Sequence, residues 1–429
     1  MYLFFVFSLL TTNDYFKRSN NFVKNKYIII IALLILALTL TGCFLFPPIN
    51  NAEWTVMVYL DSDNNLESAG INDINEMEMI GSTSDVNIVV QVDRIPYSVL
   101  ASNHEGYADD SSNGDWTTTR RYFINQDFDP IQINSQLMSD LGELNMGDPQ
   151  TLTDFASWAA VNYPANKYLL VIWNHGGGFR SLSSNLTKDI AWDDTNGGDK
   201  ITMPELESAL SAISTQIGKK IDIVGMDACF MAMTEVAYQI KDYVDIFVSS
   251  EESEPSAGWP YNTIFGQLVS TPLMSSGQFA ADIVDEYIFS YPGYNVTQSA
   301  VDLSYMDVLA GQLSNLALAI MSDSLTLKSK YVLASVSSQY YGDYDFIDLY
   351  DFCNKVLFYS NNSNVKNIAL SIQQTINSAI INFGHSGFGL GGSRGISIYF
   401  PYIAYHNYYN NTNFSRDTFW DEMLSYLGL

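Results

Sequence analysis

The chain has 429 residues, of which 47% are hydrophobic and 16% are charged, and its formal net charge is −27. This length and apolar content suit one large domain or two of ordinary size, and they exclude global disorder. The acidic balance argues against nucleic-acid binding, which requires Lys and Arg to neutralise phosphates. An acidic surface instead attracts cationic partners.

The N-terminal segment carries the pattern of an export signal. Two lysines precede the apolar run Tyr27–Leu40, and small residues then lead to Cys43. Small residues that end in a cysteine match the lipobox of bacterial lipoproteins, in which that cysteine is acylated; a plain membrane anchor is the alternative. We therefore expect residues 1–42 to be a leader, its length explained by a start codon placed too early. Residues 43–53 would then tether the protein to a membrane, outside the cytoplasm.

The first strand pattern after this tether leads into an acidic loop. Strand Trp54–Leu60 runs into Asp61–Glu67, and a helix follows. Carboxylates at alternate loop positions resemble the start of a calcium loop, but the turn glycine and the distant glutamate of that motif are missing. We therefore expect Asp63 or Asn64 to cap the helix.

Strands and helices then alternate along the chain. In chain order, the predicted elements are strand Val86–Val92, a polar insertion at 94–150, helix Leu152–Tyr163, strand Tyr168–Trp173, a helix opened by a Thr202/Glu205 capping box, strand Ile221–Met226, helix Met231–Val244 and strand Asp245–Ser250. This alternation predicts βαβ units and a largely parallel sheet.

The C-terminal part continues with long helices and short strands. Its predicted elements are helix Gly277–Ser290, strand Gln298–Leu303, helices Tyr305–Met321, Phe346–Val356 and Val365–Phe383, and strand Gly395–Phe400. We expect an α/β core at 54–290 and a helical and strand extension at 291–429 packed on it.

Two of the predicted strands end at reactive side chains. His175 follows one buried strand and Cys229 follows another. Open α/β sheets place their ligands at the carboxyl ends of strands, so the imidazole and the thiol could face one cleft. A helix N-terminus just after Cys229 would lower the pKa of its thiol. The structural alternative is a small buried cysteine and an unrelated histidine in a turn.

The other cysteines and histidines suggest no second site. Cys353 lies in an amphipathic helix pattern, so we expect it to be buried. If Cys43 is acylated, only Cys229 and Cys353 remain for a disulfide, and catalysis is the simplest explanation of an unpaired cysteine after a strand. No metal site is expected from the remaining histidines, because none of them has metal-ligand spacing: His104, His385 and His406.

Together these motifs resemble the clostripain family of cysteine peptidases (peptidase family C11), which shares its fold with caspases, gingipains, legumain and separase. The matching pieces are WTVMVYLDSDNNLE at 54–67, LLVIWNHGGGF at 169–179, IAWDDTNGGDKITMPEL at 190–206, DIVGMDACFMAMTEVAYQI at 222–240, SSEESEPSAGWPY at 249–261, SAVDLS at 299–304 and GISIYFP at 395–401. The resemblance implies an α/β fold, a caspase-like three-layer α/β/α sandwich around a mainly parallel sheet.

The resemblance also implies residue roles. His175 would be the general base and later the acid, and Cys229 the nucleophile that forms an acyl-enzyme, with no third triad residue required. The backbone N–H groups of Gly176 and Cys229 would bind the oxyanion. Relatives cleave after Arg or Lys and carry an Asp two residues before the nucleophile at the floor of the S1 pocket. That position is Asp227 here, for which a strand-end cap is the alternative.

Three further expectations concern the loops. One of Glu251, Glu252 and Glu254 could add a second acidic group to the S1 pocket, and the sequence leaves open which one. Several relatives cut themselves between the His and Cys strands, and Lys188 is the expected self-cleavage site here. We expect no required cofactor, while the acidic loops leave room for a structural calcium ion.

The sequence therefore predicts an exported, lipid-anchored cysteine endopeptidase that cleaves protein or peptide substrates after basic residues. One alternative is a non-catalytic surface protein on the same scaffold that binds basic peptides or glycans. The other is a peptidase of the same fold with a different P1 preference. The presence of His175 and Cys229 argues against the first alternative, and Asp227 argues against the second.

Overall fold

The computed structural model describes residues 51–179, 190–324, 327–342, 344–402 and 405–429. The predictions made for the leader, for Cys43 and for Lys188 lie outside these ranges. Within them, no helix has both the length and the apolar character that crossing a membrane requires.

A nine-stranded sheet runs through the centre of the molecule in the order β13-β10-β9-β8-β5-β1-β2-β3-β4. Its strands are β1 Ala52–Ser62, β2 Val86–Arg94, β3 Arg120–Phe123, β4 Gln136–Asp140, β5 Ala165–Trp173, β8 Ile221–Asp227, β9 Val244–Ser249, β10 Val296–Asp302 and β13 Ile380–Ser386. The five strands from β9 to β2 are parallel, and antiparallel strands extend the sheet at both edges.

Two small antiparallel sheets lie outside the central one. The first consists of β6 Ile190–Asp193 and β7 Asp199–Ile201, and the second of β11 Tyr340–Tyr341, β12 Phe346–Asp348 and β14 Ser397–Tyr399. The first of these sheets lies next to the loop after β5, because Gly176 forms an antiparallel bridge with Ile190.

Thirteen α-helices accompany the sheets in the described residues. They are α1 Glu67–Glu78, α2 Tyr97–Asn103, α3 Pro149–Asn162, α4 Met203–Ile217, α5 Thr234–Ile240, α6 Tyr261–Ser270, α7 Ser276–Ser290, α8 Met306–Met321, α9 Lys328–Val336, α10 Leu349–Tyr359, α11 Ser363–Ala379, α12 Asn413–Asp417 and α13 Trp420–Leu427.

The helices form one layer on each face of the central sheet. Val56 and Val58 of β1 pack in a core with α1, α6 and α7, while Met57 and Tyr59 pack in a second core with α3, α4 and α5. Successive side chains of a strand point to opposite faces, so a continuous apolar run such as that of β1 fills both cores. The predicted three-layer α/β/α sandwich is confirmed.

The helix predicted at Met231–Val244 is too long at both ends. The chain turns at Cys229 and Phe230, the Ala232 N–H then donates to Ser250 O (2.9 Å), and α5 begins only at Thr234. At the other end, Val244 already pairs with Ile221 as the first residue of β9. Tertiary strand pairing overrides the helical pattern here.

Two other helix predictions also give way to strand pairing. The predicted helix Val365–Phe383 ends at Ala379, and β13 then pairs antiparallel with β10. The segment Phe346–Val356 begins as a strand on β14 before α10 starts. In the described residues, the segment from 291 onward thus contributes β10 and β13 to the central sheet, and residues 51–429 form one compact unit.

The capping predictions have mixed outcomes. Thr202 and Glu205 form the expected capping box at α4. The cap of α3 is Asp148, whose side chain accepts from Gln150 N (2.8 Å). Neither Asp63 nor Asn64 caps α1: the Asn64 side chain accepts from Leu66 N before the helix begins. Asp63 instead accepts from Thr195 Oγ1 (2.9 Å).

Candidate active site

The strand register brings His175 and Cys229 to the same edge of the sheet. Trp173, the last residue of β5, pairs with Asp227, the last residue of β8. His175 and Cys229 each lie two residues beyond this pair, on adjacent parallel strands. Both line one cavity of about 160 Å³, together with Asp227 and Glu254. The cleft inferred from the two strand ends is therefore present.

Two asparagines hold His175. The backbone N–H of His175 donates to the Asn174 side chain, whose Nδ2 donates to Asp61 O (2.8 Å) and Trp192 O (3.1 Å). The ring Nε2 lies 2.9 Å from Asn65 Oδ1. Because an amide oxygen only accepts, this contact assigns a proton to Nε2, and a neutral imidazole in that tautomer accepts protons at Nδ1.

The thiol of Cys229 lies against the backbone of the loop after β9. Its Sγ accepts a hydrogen bond from Glu254 N at 3.2 Å. Burial raises the pKa of Cys229, and Asp227 and Glu252 raise it further, while the Glu254 N–H lowers it. The expected lowering by a helix N-terminus is wrong, because α5 begins five residues later and carboxylates surround the sulfur. The resting residue is a thiol, so a nearby base must take its proton.

The backbone around Gly176 and Cys229 is closely packed. A Cβ added to Gly176 would lie 2.9 Å from Cys229 N and 2.4 Å from Cys229 O, so only glycine fits there. The next residue, Phe230, has φ of +62°, a left-handed conformation that is costly for a side chain of this kind. The Gly176 backbone therefore packs directly on the Cys229 backbone.

Asp227 lies at the base of the cavity and is only 4% exposed. Its Oδ2 accepts from Trp259 N (3.0 Å) and from Tyr261 Oη (2.8 Å). Gly258 has φ of +58°, and a Cβ there would lie 2.8 Å from Asp227 Oδ2. The loop before α6 therefore packs directly on this carboxylate and fixes its orientation.

Glu254 is the second acid of the cavity, a choice that the sequence left open. Its carboxyl group is buried and shares a side-chain hydrogen bond with that of Asp227. Burial raises the pKa of Glu254 and that of Asp227, and repulsion from Asp227 raises that of Glu254 further. Two buried carboxyl groups without a cation form an electrostatically unfavourable pair, which a positively charged side chain would relieve.

The other two glutamates lie elsewhere. Glu251 is buried and accepts from Gly395 N (3.0 Å), where it faces Asp348. Glu252 lies outside the cavity lining, although its charge acts on Cys229. Two of the remaining histidines have carboxylate neighbours: His104 pairs with Asp194 (2.6 Å) and His406 with Asp345 (3.2 Å).

The sequence patterns did not identify Asn65 as a partner of His175, and they did not distinguish Glu254 from the two neighbouring glutamates. Asn65 belongs to the acidic loop after β1, and its position next to His175 follows from the β1–β5 pairing, in which Leu60 pairs with Trp173. That pairing, once known, would have indicated the contact. Cys353 is buried as predicted, and Cys229 and Cys353 are both free thiols.

A separate group of carboxylates lies near the site: Asp63, Asp93, Glu143 and Asp193. One oxygen from each of the four lies within 4.8 Å of the others. It is the group in the described residues whose donors converge closely enough to hold a metal ion.

The sequence and the fold both resemble those of known proteins. The model of the clostripain family matches residues 58–427. Clostripain of Hathewaya histolytica is 28% identical over 424 residues, covering 84% of this chain and 77% of that protein. A secreted C11 cysteine protease of Bacteroides thetaiotaomicron, solved with an irreversible peptide inhibitor, has a TM-score of 0.63 at 20% identity. It covers 87% of this chain and 99% of its own.

A second structure extends this likeness. The inactive zymogen of a C11 protease from Parabacteroides distasonis has a TM-score of 0.64 at 18% identity, again over 87% of this chain and 99% of its own. These structures establish the caspase-like fold, and the family model spans most of the chain. The protein belongs to the clostripain family of cysteine proteases.

Proposed function

We propose that this cysteine protease is an endopeptidase that cleaves after Arg or Lys, with Cys229 as the nucleophile and His175 as its proton acceptor and donor. The observation that carries the proposal is the Asp227–Glu254 carboxyl pair in the cavity that also holds Cys229 and His175. A guanidinium or ammonium group in this cavity would be recognised by charge-assisted hydrogen bonds.

The reaction follows from the arrangement of these groups. His175 takes the Cys229 proton through Nδ1, and the thiolate attacks the scissile carbonyl to form a tetrahedral intermediate. The N–H groups of Gly176 and Cys229 donate to its oxyanion. His175 then protonates the leaving amine, and water hydrolyses the acyl-enzyme with His175 again as the base. The Nε2 bond to Asn65 keeps the ring oriented through both steps.

Hydrolysis of fluorogenic peptides that differ only at P1 (Arg, Lys, Asp, Asn or Ala) tests this proposal. We expect turnover after Arg and Lys under reducing conditions, and none in Cys229→Ala. Turnover only after another residue would refute a pocket for basic P1 side chains, although the protein would still be an active protease. A lack of turnover with every peptide, even after limited proteolysis of residues 180–189, would favour a protein that only binds basic peptides or glycans.

We also propose that the enzyme is exported and anchored to a membrane by a lipid on Cys43. The support is the order of basic residues, apolar run and small residues before that cysteine. In cells grown with a labelled fatty acid, the wild-type chain should be labelled and Cys43→Ser should not. Equal labelling of both chains would refute acylation at Cys43.

Self-processing at Lys188 is the last part of the proposal. The residue lies between the His175 and Cys229 strands, in a polar stretch that offers a basic P1 residue. Intact mass analysis should show a chain cut after Lys188 in the wild type and an uncut chain in Cys229→Ala and Lys188→Ala. Identical single chains in all three would exclude self-cleavage.

A further inference from the structure

A second cavity opens beside the catalytic one. It has a volume of about 620 Å³ and lies between α1, residues 128–130 of the insertion and the segment Ser256–Ala257. Ser256 also lines the catalytic cavity, as do Pro255 and Gly258 on either side of this segment. The loop before α6 therefore forms a wall between the two cavities, and a peptide bound in the smaller one has the larger one next to it.

Hydrogen bonds hold the three walls of this second cavity together. Glu76 of α1 accepts from Tyr261 N (3.0 Å), which ties α1 to the start of α6. On the other side, Asp127 N donates to Glu78 O (2.7 Å), so the loop at 128–130 is fixed to the end of α1. The cavity is thus preformed, and a ligand that enters it does not have to order its walls.

The lining of the second cavity carries negative charge and no positive charge. Three of its residues are acids, Asp73, Glu76 and Asp129, and none of its described residues is a Lys, Arg or His. No salt bridge among the described residues includes any of these acids. Burial raises the pKa of Asp73, and the charges of Asp227 and Glu76 raise it further. A bound cation would relieve this repulsion.

The side chain of Asn75 points to a polar ligand. Asn75 lines the cavity and is 5% exposed. Neither its Oδ1 nor its Nδ2 has a hydrogen-bond partner among the described residues. Buried polar atoms are nearly always paired, because an unpaired one costs free energy. A ligand that carries N–H donors would provide a partner for Oδ1.

We propose that this cavity binds a second basic side chain of the substrate, so that the enzyme prefers peptides with two basic residues close together. The proposal rests on the proposed cleavage after Arg or Lys, which seats the first basic residue in the catalytic cavity. Asp73, Glu76 and Asn75 Oδ1 are acceptors for a guanidinium or ammonium group, whose N–H groups only donate. The aliphatic stem of such a side chain would pack on Met79 and Phe128, which are 43% and 74% exposed.

An apolar side chain fits this cavity less well. It would cover Met79 and Phe128, but it would leave the acids and the Asn75 amide without a partner. A basic side chain satisfies both parts of the lining, since its stem is apolar and its head is a cation. Comparing basic with apolar side chains at one substrate position therefore tests the chemistry of the site.

Peptides with two arginines test the second site. The reference is an internally quenched peptide with Arg at P1 and citrulline, a neutral isostere of Arg, at the other positions from P4 to P3′. Each test peptide replaces one citrulline by Arg. We expect kcat/KM to rise roughly tenfold at one position or at two adjacent ones, and norleucine there to give no comparable rise. Long-range attraction alone would raise kcat/KM at every position alike.

Substitutions assign the effect to the cavity. The ratio of kcat/KM between the best two-arginine peptide and the reference should fall at least about threefold in Glu76→Gln, Asp129→Asn and Asn75→Leu. The first two variants keep an amide oxygen for the backbone N–H that the wild-type carboxylate accepts, so the local fold is retained. Glu105→Gln removes the same charge at an exposed position outside the cavity and should leave the ratio unchanged.

The outcomes separate this proposal from the proposed P1 specificity. Cleavage of the reference peptide with equal gains at every position, with no gain, or with an equal gain from norleucine would overturn the second site and leave the P1 preference intact. An unchanged ratio in all three cavity variants would also overturn it.

A binding measurement decides the question if the reference peptide is not cleaved. Fluorescently labelled forms of the same peptides are then titrated with the Cys229→Ala chain, and their anisotropy is recorded. The peptide with a second arginine should bind more tightly at one position, and Glu76→Gln in this background should remove that gain. Equal affinities of the single-arginine and two-arginine peptides would overturn the second site.

Discussion

At the scale of single residues, the imidazole of His175 has a contact that the sequence motif does not contain. Nε2 faces Asn65 Oδ1 at 2.9 Å, which fixes both the tautomer and the ring plane. Histidines in catalytic sites commonly rely on such a partner for the nitrogen that does not react. We therefore regard Asn65 as a positioning residue.

Replacing Asn65 tests that role. Asn65→Ala should lower kcat on the order of 10- to 100-fold with little change in KM, because a misplaced base reduces proton transfer and not substrate binding. Asn65→Asp keeps an acceptor oxygen and should recover part of the rate, with a pH profile displaced upward by the added negative charge beside His175. The control is Asn72→Ala, an exposed asparagine on α1. Equal kinetics in Asn65→Ala and this control would contradict the role.

The acidic pair of the cavity gives the second residue-scale prediction. Asp227→Asn should reduce kcat/KM for Arg and Lys peptides by roughly 30-fold or more, since a buried cation would lose its charged partner. Glu254→Gln should act in the same direction but less strongly, because Asp227 remains. Glu105→Gln, at an exposed glutamate of the insertion, provides the charge-matched control. An unchanged P1 preference in Asp227→Asn would argue against a pocket built on that residue.

At the scale of elements, a second buried acid pair joins the loop after β9 to the small C-terminal sheet. Glu251 accepts from Gly395 N (3.0 Å), and Asp348, at the end of β12, accepts from Asp351 N (2.6 Å) and Arg394 N (2.5 Å). Burial raises the pKa of Glu251, and repulsion from Asp348 raises it further. Burial also raises the pKa of Asp348, to about 7.

This pair predicts a pH dependence of stability with a defined sign. The folded pKa values lie above the unfolded ones, so the native state holds protons that the unfolded chain releases. Stability from this pair should be greatest below the unfolded pKa values of about 4 and should fall as the pH rises from there through about 7. Denaturation midpoints in urea should therefore be higher at pH 6 than at pH 8.

One variant tests whether this acid pair causes the pH dependence of the denaturation midpoint. Glu251→Gln keeps the size of the side chain but cannot ionise, so its midpoint should change less between pH 6 and pH 8 than that of the wild type. The change should not vanish, because burial also raises the pKa of Glu235, to about 7. Glu105→Gln should show the same pH dependence of the midpoint as the wild type. If the midpoint changed equally between pH 6 and pH 8 in Glu251→Gln and in the wild type, the pair would not be the cause of the pH dependence.

The elements that were predictable from sequence are those whose pattern agrees with their tertiary role. The apolar runs of β1, β5 and β8 and the capping box of α4 are visible in sequence because burial on both faces and local capping leave direct signals. The predicted helix at Met231–Val244 fails where Met233 pairs with Ser397, a partner 164 positions away in the chain. Long-range pairing of this kind leaves no local pattern.

The candidate site also contains residues that the sequence predicts and residues that only the fold brings together. His175 and Cys229 were predictable because each directly follows a buried strand. Glu254 was not distinguishable from Glu251 and Glu252, since the loop that carries all three has no periodic pattern. Likewise, the carboxylates near Asp63 come from four segments, and only the packing of the loops brings them together.

At the scale of the whole molecule, the net charge of −27 should influence how substrates arrive. An acidic enzyme with an acidic cavity attracts cationic peptides over distances comparable to the Debye length, and salt screens this attraction. The chemical step inside the cavity, by contrast, is little affected by screening. The effect should therefore appear in kcat/KM and KM, and not in kcat.

Two peptides with the same Arg at P1 separate this long-range effect from the pocket. For a peptide with lysines in its flanks, raising NaCl from 20 to 300 mM should lower kcat/KM by roughly 3- to 10-fold. For a peptide with acidic flanks, the same change should raise kcat/KM, because salt then screens repulsion. Equal salt responses for the two peptides would show that the charge of the molecule does not steer its substrates, whatever residue the pocket selects.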